Sequence, residues 1–182
     1  MIRTIGMIEL NSIAKGIETA DTMIKAADVQ LLKAHSVCPG KYIILICGDV
    51  AAVKAAINTG IEAGRSYVID HLVLPSIHPQ LIDAIHATNA VQEVSAIGVL
   101  EFYNIVTAIV AADAAAKAAA ITLIEVRLGL SIGGKSFITL CGDVSSVQEA
   151  VEAAATIGKE KGMLVEKTVI PSPREELFEK LL

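Results

Sequence analysis

The run Gly129-Leu130-Ser131-Ile132-Gly133-Gly134-Lys135-Ser136 satisfies the phosphate-cradling pattern G-x-x-x-x-G-K-[ST] at every fixed position. Such a loop works only where it follows a strand and opens a helix, because the helix N-terminus supplies the amides and dipole that hold the phosphates. Here Phe137-Ile138-Thr139-Leu140-Cys141 continues as a β-type run, so the match does not predict nucleotide binding. The thiols divide into two kinds. Cys47 and Cys141 end matched apolar runs and read as small core hydrophobes. Cys38 sits before Pro39-Gly40, in a tight loop between two predicted strands. One thiolate cannot hold a metal site by itself, although rotational symmetry among copies would change the count. His35, His71, His78 and His86 lack H-x-x-x-H or H-E-x-x-H spacing, so no metal site is expected within one chain. Glu9 and Glu101 are expected to satisfy backbone or basic groups near a strand end. No nucleophile elbow or dinucleotide fingerprint is present, and no enzymatic activity is expected.

These residues are positioned by elements that occur twice. At an offset of 92, Ile5–Leu32 matches Ile97–Ile124 with 11 identities in 28 positions; at an offset of 94, Gly40–Ile57 matches Gly134–Val151 with 9 in 18. Self-similarity at one period marks duplicated structural units. The reading is two domains, 1–91 and 92–182, joined near Asn89–Ser95. In the first, a strand (Thr4–Leu10) enters a helix capped by Asn11 or Ser12. A β-rich run (Val29–Ser36), a Gly-containing loop and a second apolar run (Tyr42–Cys47) follow. Gly48-Asp49 caps a second helix (Ala51–Arg65), and a last strand (Val68–Leu74) stops at Pro75. The second half repeats this through Val165–Ile170 and adds a terminal amphipathic helix, Glu175–Leu182. The order β-α-β-β-α-β predicts an α/β (α+β) ferredoxin-like variant in each half.

Composition limits the partners. The 182 residues are 53% hydrophobic yet 3% aromatic with no Trp, far too aliphatic for disorder. So much aliphatic surface predicts an oligomer. Lys+Arg 15 against Asp+Glu 20 gives a net charge of -5, without the basic excess that phosphate-backbone binding needs, so no nucleic acid partner is expected. Asn104–Ile124 has membrane-spanning length and only Asp113 and Lys117 as charges. Its equivalent in the first half, Ser12–Leu32, carries Lys15, Glu18, Asp21, Lys25 and Asp28, so both read as helix followed by strand and no membrane is expected. The amino-terminal run reads as a strand rather than a signal peptide. With three unpatterned cysteines this predicts a reducing, cytoplasmic setting.

Ile5-Gly6-x-Ile8-Glu9, Ala20-Asp21-x-Met23-x-Lys25-x-Ala27-x-Val29, Gly48-Asp49-Val50-x-x-Val53 and Val73-Leu74-Pro75, all repeated in the second half, resemble bacterial microcompartment (BMC) shell proteins. The resemblance covers both repeats and implies the tandem-domain class, whose chains form trimers with a pseudo-sixfold outline. Ser12-Ile13-Ala14-Lys15-Gly16, Cys38-Pro39-Gly40-Lys41 and Ile132-Gly133-Gly134-Lys135 are similar to the T-type shell proteins of propanediol-utilisation compartments. That similarity implies a 4Fe-4S cluster on the trimer axis, bound by one Cys38 from each of three chains. It implies pore loops at Pro39, Gly40, Ser131, Ile132, Gly133 and Gly134, and tile-edge contacts at Lys25 and Lys117. The implied role is a structural shell tile for electron transfer or cluster delivery; an open small-molecule pore without a cluster is the alternative. Implied partners are other shell proteins and an encapsulated redox enzyme. The usual edge segment Pro-Arg-Pro-His appears here as Pro75-Ser76-Ile77-His78-Pro79 and Pro171-Ser172-Pro173-Arg174, which implies altered edge pairing.

Overall fold

A computed structural model describes residues 4–91 and 94–178. The chain forms two compact units, Met1–Ile77 and His78–Leu182. The first contains β1 (Thr4–Leu10), α1 (Ile13–Ala26), β2 (Gln30–Val37), β3 (Lys41–Gly48), α2 (Val50–Gly64), a short 3-10 turn and β4 (Val68–Pro75). Its antiparallel sheet has the order β2-β3-β1-β4, so each helical crossover skips one strand. That is the split β-α-β arrangement the sequence predicts.

Strand alternation sends Gly6, Ile8 and Leu10 toward the helices. Glycine is required where they approach: a Cβ on Gly6 would lie 2.7 Å from Val53, and one on Gly60 would lie 2.5 Å from Ile8. The resulting core includes Ile8, Leu10, Met23, Tyr42, Ile44, Ile46, Val53 and Ile57. Each such large side chain contributes roughly 1.5–3 kcal/mol by leaving water. Ser12 rather than Asn11 caps α1, its Oγ accepting the Lys15 N–H at 3.3 Å.

The second unit contains α3 (Gln80–Ile85), β5 (Ala96–Phe102), α4 (Ile105–Ala118), β6 (Thr122–Leu128), β7 (Ser136–Gly142), α5 (Val144–Glu160), β8 (Leu164–Pro171) and α6 (Glu175–Phe178). Its sheet order is β6-β7-β5-β8. Register shifts fall at equivalent places in both sheets: Glu9/Leu10 with Glu101/Phe102, and Leu31/Lys33 with Leu123/Glu125. The membrane-length run resolves into α4 and β6, and among the described residues no helix is long and apolar enough to cross a membrane.

The duplicated cores are filled differently. In the first, the Tyr42 ring lies over Gly16, where a Cβ would come within 2.4 Å, and Leu10 completes the layer. The equivalents are Ser136, Ala108 and Phe102, with Phe102 reaching Gly158. Volume lost at one position is regained at its neighbour, which keeps both cores dense.

One element departs from the sequence reading. Residues expected to belong to the first domain up to 91 include α3, which packs on β6 and α4 of the second unit, so the compact units divide after Ile77. Within the expected joint Asn89–Ser95, residues 92 and 93 lie outside the described residues, as do residues 1–3 of the amino-terminal run. The terminal helix is present over Glu175–Phe178; the rest of its expected span also lies outside them.

Candidate functional site

Cys38 occupies the connection between β2 and β3. Val37–Gly40 forms a four-residue turn in which the Gly40 N–H donates to the Val37 carbonyl at 3.0 Å, the Cys38–Pro39 peptide is cis, and Gly40 adopts a φ of 81°. This is the turn class with a cis proline at its third position. A Cβ on Gly40 would meet no atom within 4 Å, so that side of the turn is open. The Cys38 thiol is partly exposed.

The other two thiols are buried at the ends of β3 and β7. Burial raises the Cys47 thiol and pushes the Cys141 thiol up to about 11, which keeps both protonated and poor ligands. Cys47 donates weakly to Gln30 Oε1 at 3.7 Å. Cys38 is therefore the cysteine reachable from outside its own unit.

Just beyond the turn, Lys41 Nζ donates to Glu9 Oε1 at 2.9 Å. The repeat-equivalent Lys135 donates to Glu101 Oε2 at 2.9 Å. Both glutamates thus satisfy a basic group at a strand end, as their positions predict. The two pairs differ in setting: side-chain exposure is 2% for Glu9 and 26% for Lys41, against 42% and 43% for Glu101 and Lys135. Each pair ties the foot of a loop to the central strand of its sheet.

In the second unit the corresponding loop runs from Gly129 to Lys135. Gly129, Ser131, Gly133 and Gly134 all take positive φ, between 62° and 81°, and the Lys135 N–H donates to the Ile132 carbonyl at 3.3 Å. β7 follows at once, so the phosphate-loop pattern lacks the helix it needs and its lysine is held by Glu101. A shallow cavity of about 180 Å³ beside this loop is lined by Glu101, Ile132, Lys135, Ser136 and Phe137.

Lys25 and Lys117 lie in the last turns of α1 and α4, each paired four residues back with Asp21 or Asp113. Asp113 is buried and also accepts the His78 N–H at 2.7 Å, whereas Asp21 is more than half exposed. Sequence reasoning missed α3 and its polar anchors. Gln80 accepts the Leu123 N–H at 2.9 Å and donates to the Ile121 carbonyl at 3.2 Å, and Asn89 donates to the Leu123 carbonyl at 2.8 Å. The spacing of Leu81, Ala84 and Ile85, all buried, is the helical signal that identifies this segment.

Among the described residues of one chain, no group of three His, Cys, Asp or Glu side chains is placed to hold a metal ion. A soft-metal centre on Cys38 would have to take its other protein ligands from other copies. The donor chemistry fits an iron-sulfur cluster in two respects: the thiol is reachable, and it stands on a tight turn bordered by open space.

Comparison with known proteins adds three findings. The BMC domain family matches residues 4–77 and again 96–173. The microcompartment shell protein PduT of Citrobacter freundii is 42% identical over 182 residues, covering 100% of this chain and 99% of that protein; the carboxysome assembly protein CcmO of Synechococcus is 31% identical over 189 residues, covering 97% and 68%. The crystal structure of a microcompartments protein from Desulfitobacterium hafniense superposes with a TM-score of 0.93 at 50% identity, covering 98% of this chain and 99% of the other.

Proposed function

The chain belongs to the BMC domain family, carrying that domain twice, and we propose that three copies close into a shell tile whose central opening holds one 4Fe-4S cluster on three Cys38 thiolates. The protein is a structural shell protein of a bacterial microcompartment, as its full-length similarity to a shell protein requires. Its setting in this reading is the bacterial cytoplasm, in contact with other shell proteins and an encapsulated redox enzyme.

The observation that carries the proposal is the asymmetry of the thiols. Cys38 is partly exposed on the β2–β3 turn, while Cys47 and Cys141 are buried. The second repeat carries Ser131-Ile132 in the corresponding loop, so three chains bring three thiolates to an axis and not six. When bound, the cluster supplies one-electron redox chemistry, or is itself the cargo. Pro39 and Gly40 keep the ligand loop short, and Gly40 leaves room for a neighbour. Ser131, Ile132, Gly133 and Gly134 line the opening in this reading, where the Ser131 hydroxyl and the glycine amides are donors able to tune the cluster's surroundings. Lys25 and Lys117 form the tile-edge contacts.

Anaerobic purification followed by iron analysis tests the reading. Wild type, Cys47→Ser and Cys141→Ser should hold equal iron, and Cys38→Ser should hold none while remaining a folded trimer. Equal iron in wild type and Cys38→Ser would refute cluster binding and leave the open-pore tile.

A further inference from the structure

The chain leaves its two sheets in the same way. Val73-Leu74-Pro75-Ser76 matches Val169-Ile170-Pro171-Ser172 at an offset of 96, Pro75 pairs with Thr4 as Pro171 pairs with Ala96, and Ser76 and Ser172 both turn at positive φ, 53° and 48°. At the same offset His78 corresponds to Arg174, Gln80 to Glu176 and Leu81 to Leu177. Leu81 is fully buried, but Leu177 is 44% exposed.

The earlier segment shows what such a tail binds. Within the second unit it is seated on α4 and β6, with the His78 N–H on Asp113, Gln80 on the outer edge of β6, and Leu81 buried. The equivalent seat in the first unit is open. Ile24 is 41% and Leu31 40% exposed, where their counterparts Ala116 and Leu123 are 7% and 0%. Ile13 and Ile17 extend the bare stripe along α1, while their counterparts Ile105 and Ile109 are fully buried. β2 has the same register as β6 here, Leu31 facing Ile46 as Leu123 faces Leu140, which puts the Leu31 N–H on the same outer edge.

We propose that the tail Ser172–Phe178 of one copy seats on α1 and β2 of a second copy. Leu177 packs on Ile24 and Leu31, Glu176 accepts the Leu31 N–H, and the Arg174 N–H donates to Asp21. The occupant is a second copy because Leu177, Ile24 and Leu31 all stay exposed within the single chain. A step that carries a tail from one repeat to the next, taken after the second repeat, arrives at the first repeat of another molecule, and three such steps close a ring. Glu176 has no donor to replace the Gln80 amide, so the trans seat lacks the bond that Gln80 makes to the Ile121 carbonyl. The inference rests on the trimer reading above and names the surfaces that hold it.

Cross-linking of the full chain tests it. In a Cys38→Ser background, chains carrying Leu177→Cys and chains carrying Ile24→Cys are co-expressed and treated with a short bismaleimide. A covalent dimer should form in the mixture and in neither single variant alone. The double variant on one chain should give covalent trimers. In sedimentation, Leu177→Asp should raise the subunit dissociation constant tenfold or more. Cross-links confined to single chains, or no cross-links with a trimer unaffected by Leu177→Asp, would overturn the tail seat and leave the trimer standing. A wild-type monomer at micromolar concentration would overturn the trimer reading and the seat with it.

Discussion

The first and second repeats share a sheet order, register shifts and loop-tethering ion pairs, yet they spend the same positions differently. Glu9 is buried beside a half-buried Lys41, whereas Glu101 and Lys135 are 42% and 43% exposed. The α1 face is bare where the α4 face is buried, and the cysteine stands on one turn only. Duplication thus preserved the parts that fold each unit and freed the parts that face outward. In the trimer proposed above, two identical domains would present six equal edges and six equal loops, but two unlike ones give three of each kind.

The largest expected difference between the repeats lies in their ion pairs. Glu9→Ala leaves Lys41 without its partner in a mostly buried site and should cost about 3 kcal/mol. Glu101→Ala breaks an exposed pair and should cost less than ~1 kcal/mol. Urea unfolding of the two variants checks the contrast, and equal losses would break it.

A second contrast is steric. Gly16→Ala drives a methyl group into the Tyr42 ring and should cost roughly 1–3 kcal/mol. Adding Tyr42→Ser and Leu10→Phe reproduces the Ala108, Ser136 and Phe102 set of the second repeat, and the triple variant should recover most of that loss in thermal melts. Simple additivity of the three changes would show that the two cores are not interchangeable solutions.

The helix entries differ by a smaller amount. Asp143 accepts the Ser145 and Ser146 hydroxyls and the Ser146 N–H, and these bonds hold its carboxyl well below its ordinary value of 3.8. Asp49, followed by Ala51 and Ala52, caps α2 without a side-chain bond. The carboxylate's depressed value means its contribution is complete above the unfolded value and is lost as pH falls through the folded one. Asp143→Asn should therefore lower the melting temperature at pH 7 and lose that effect in acid below pH ~4, while Asp49→Asn should change it little at either pH.

Much of this was legible in the chain itself. Apolar β-type runs bounded by the Gly-Asp turns and Pro75 place the strands within a residue or two, and the offset identities locate the repeat. The strand-end positions of Glu9 and Glu101 predict a backbone or basic partner for each, but not that the partners are Lys41 and Lys135. What stayed hidden was α3, because a six-residue helix carries few periods and its stability comes from packing on β6 and α4 rather than from its own sequence. The burial contrast between Glu9 and Glu101 was equally hidden, since identical residues at equivalent positions differ only through what surrounds them. Cys38 stands out by lacking a counterpart in the second repeat, but the cluster proposed for it would need thiolates from other copies, which no single-chain pattern encodes.

Native mass spectrometry of the anaerobically purified protein weighs the chains and any cluster on Cys38 together, as one species. An intact oligomer of three chains carrying the added mass of one 4Fe-4S unit is expected, with Cys38→Ser giving the same oligomer without that mass. A wild-type trimer of bare polypeptide mass, or a cluster mass that persists in Cys38→Ser, would contradict cluster binding by Cys38.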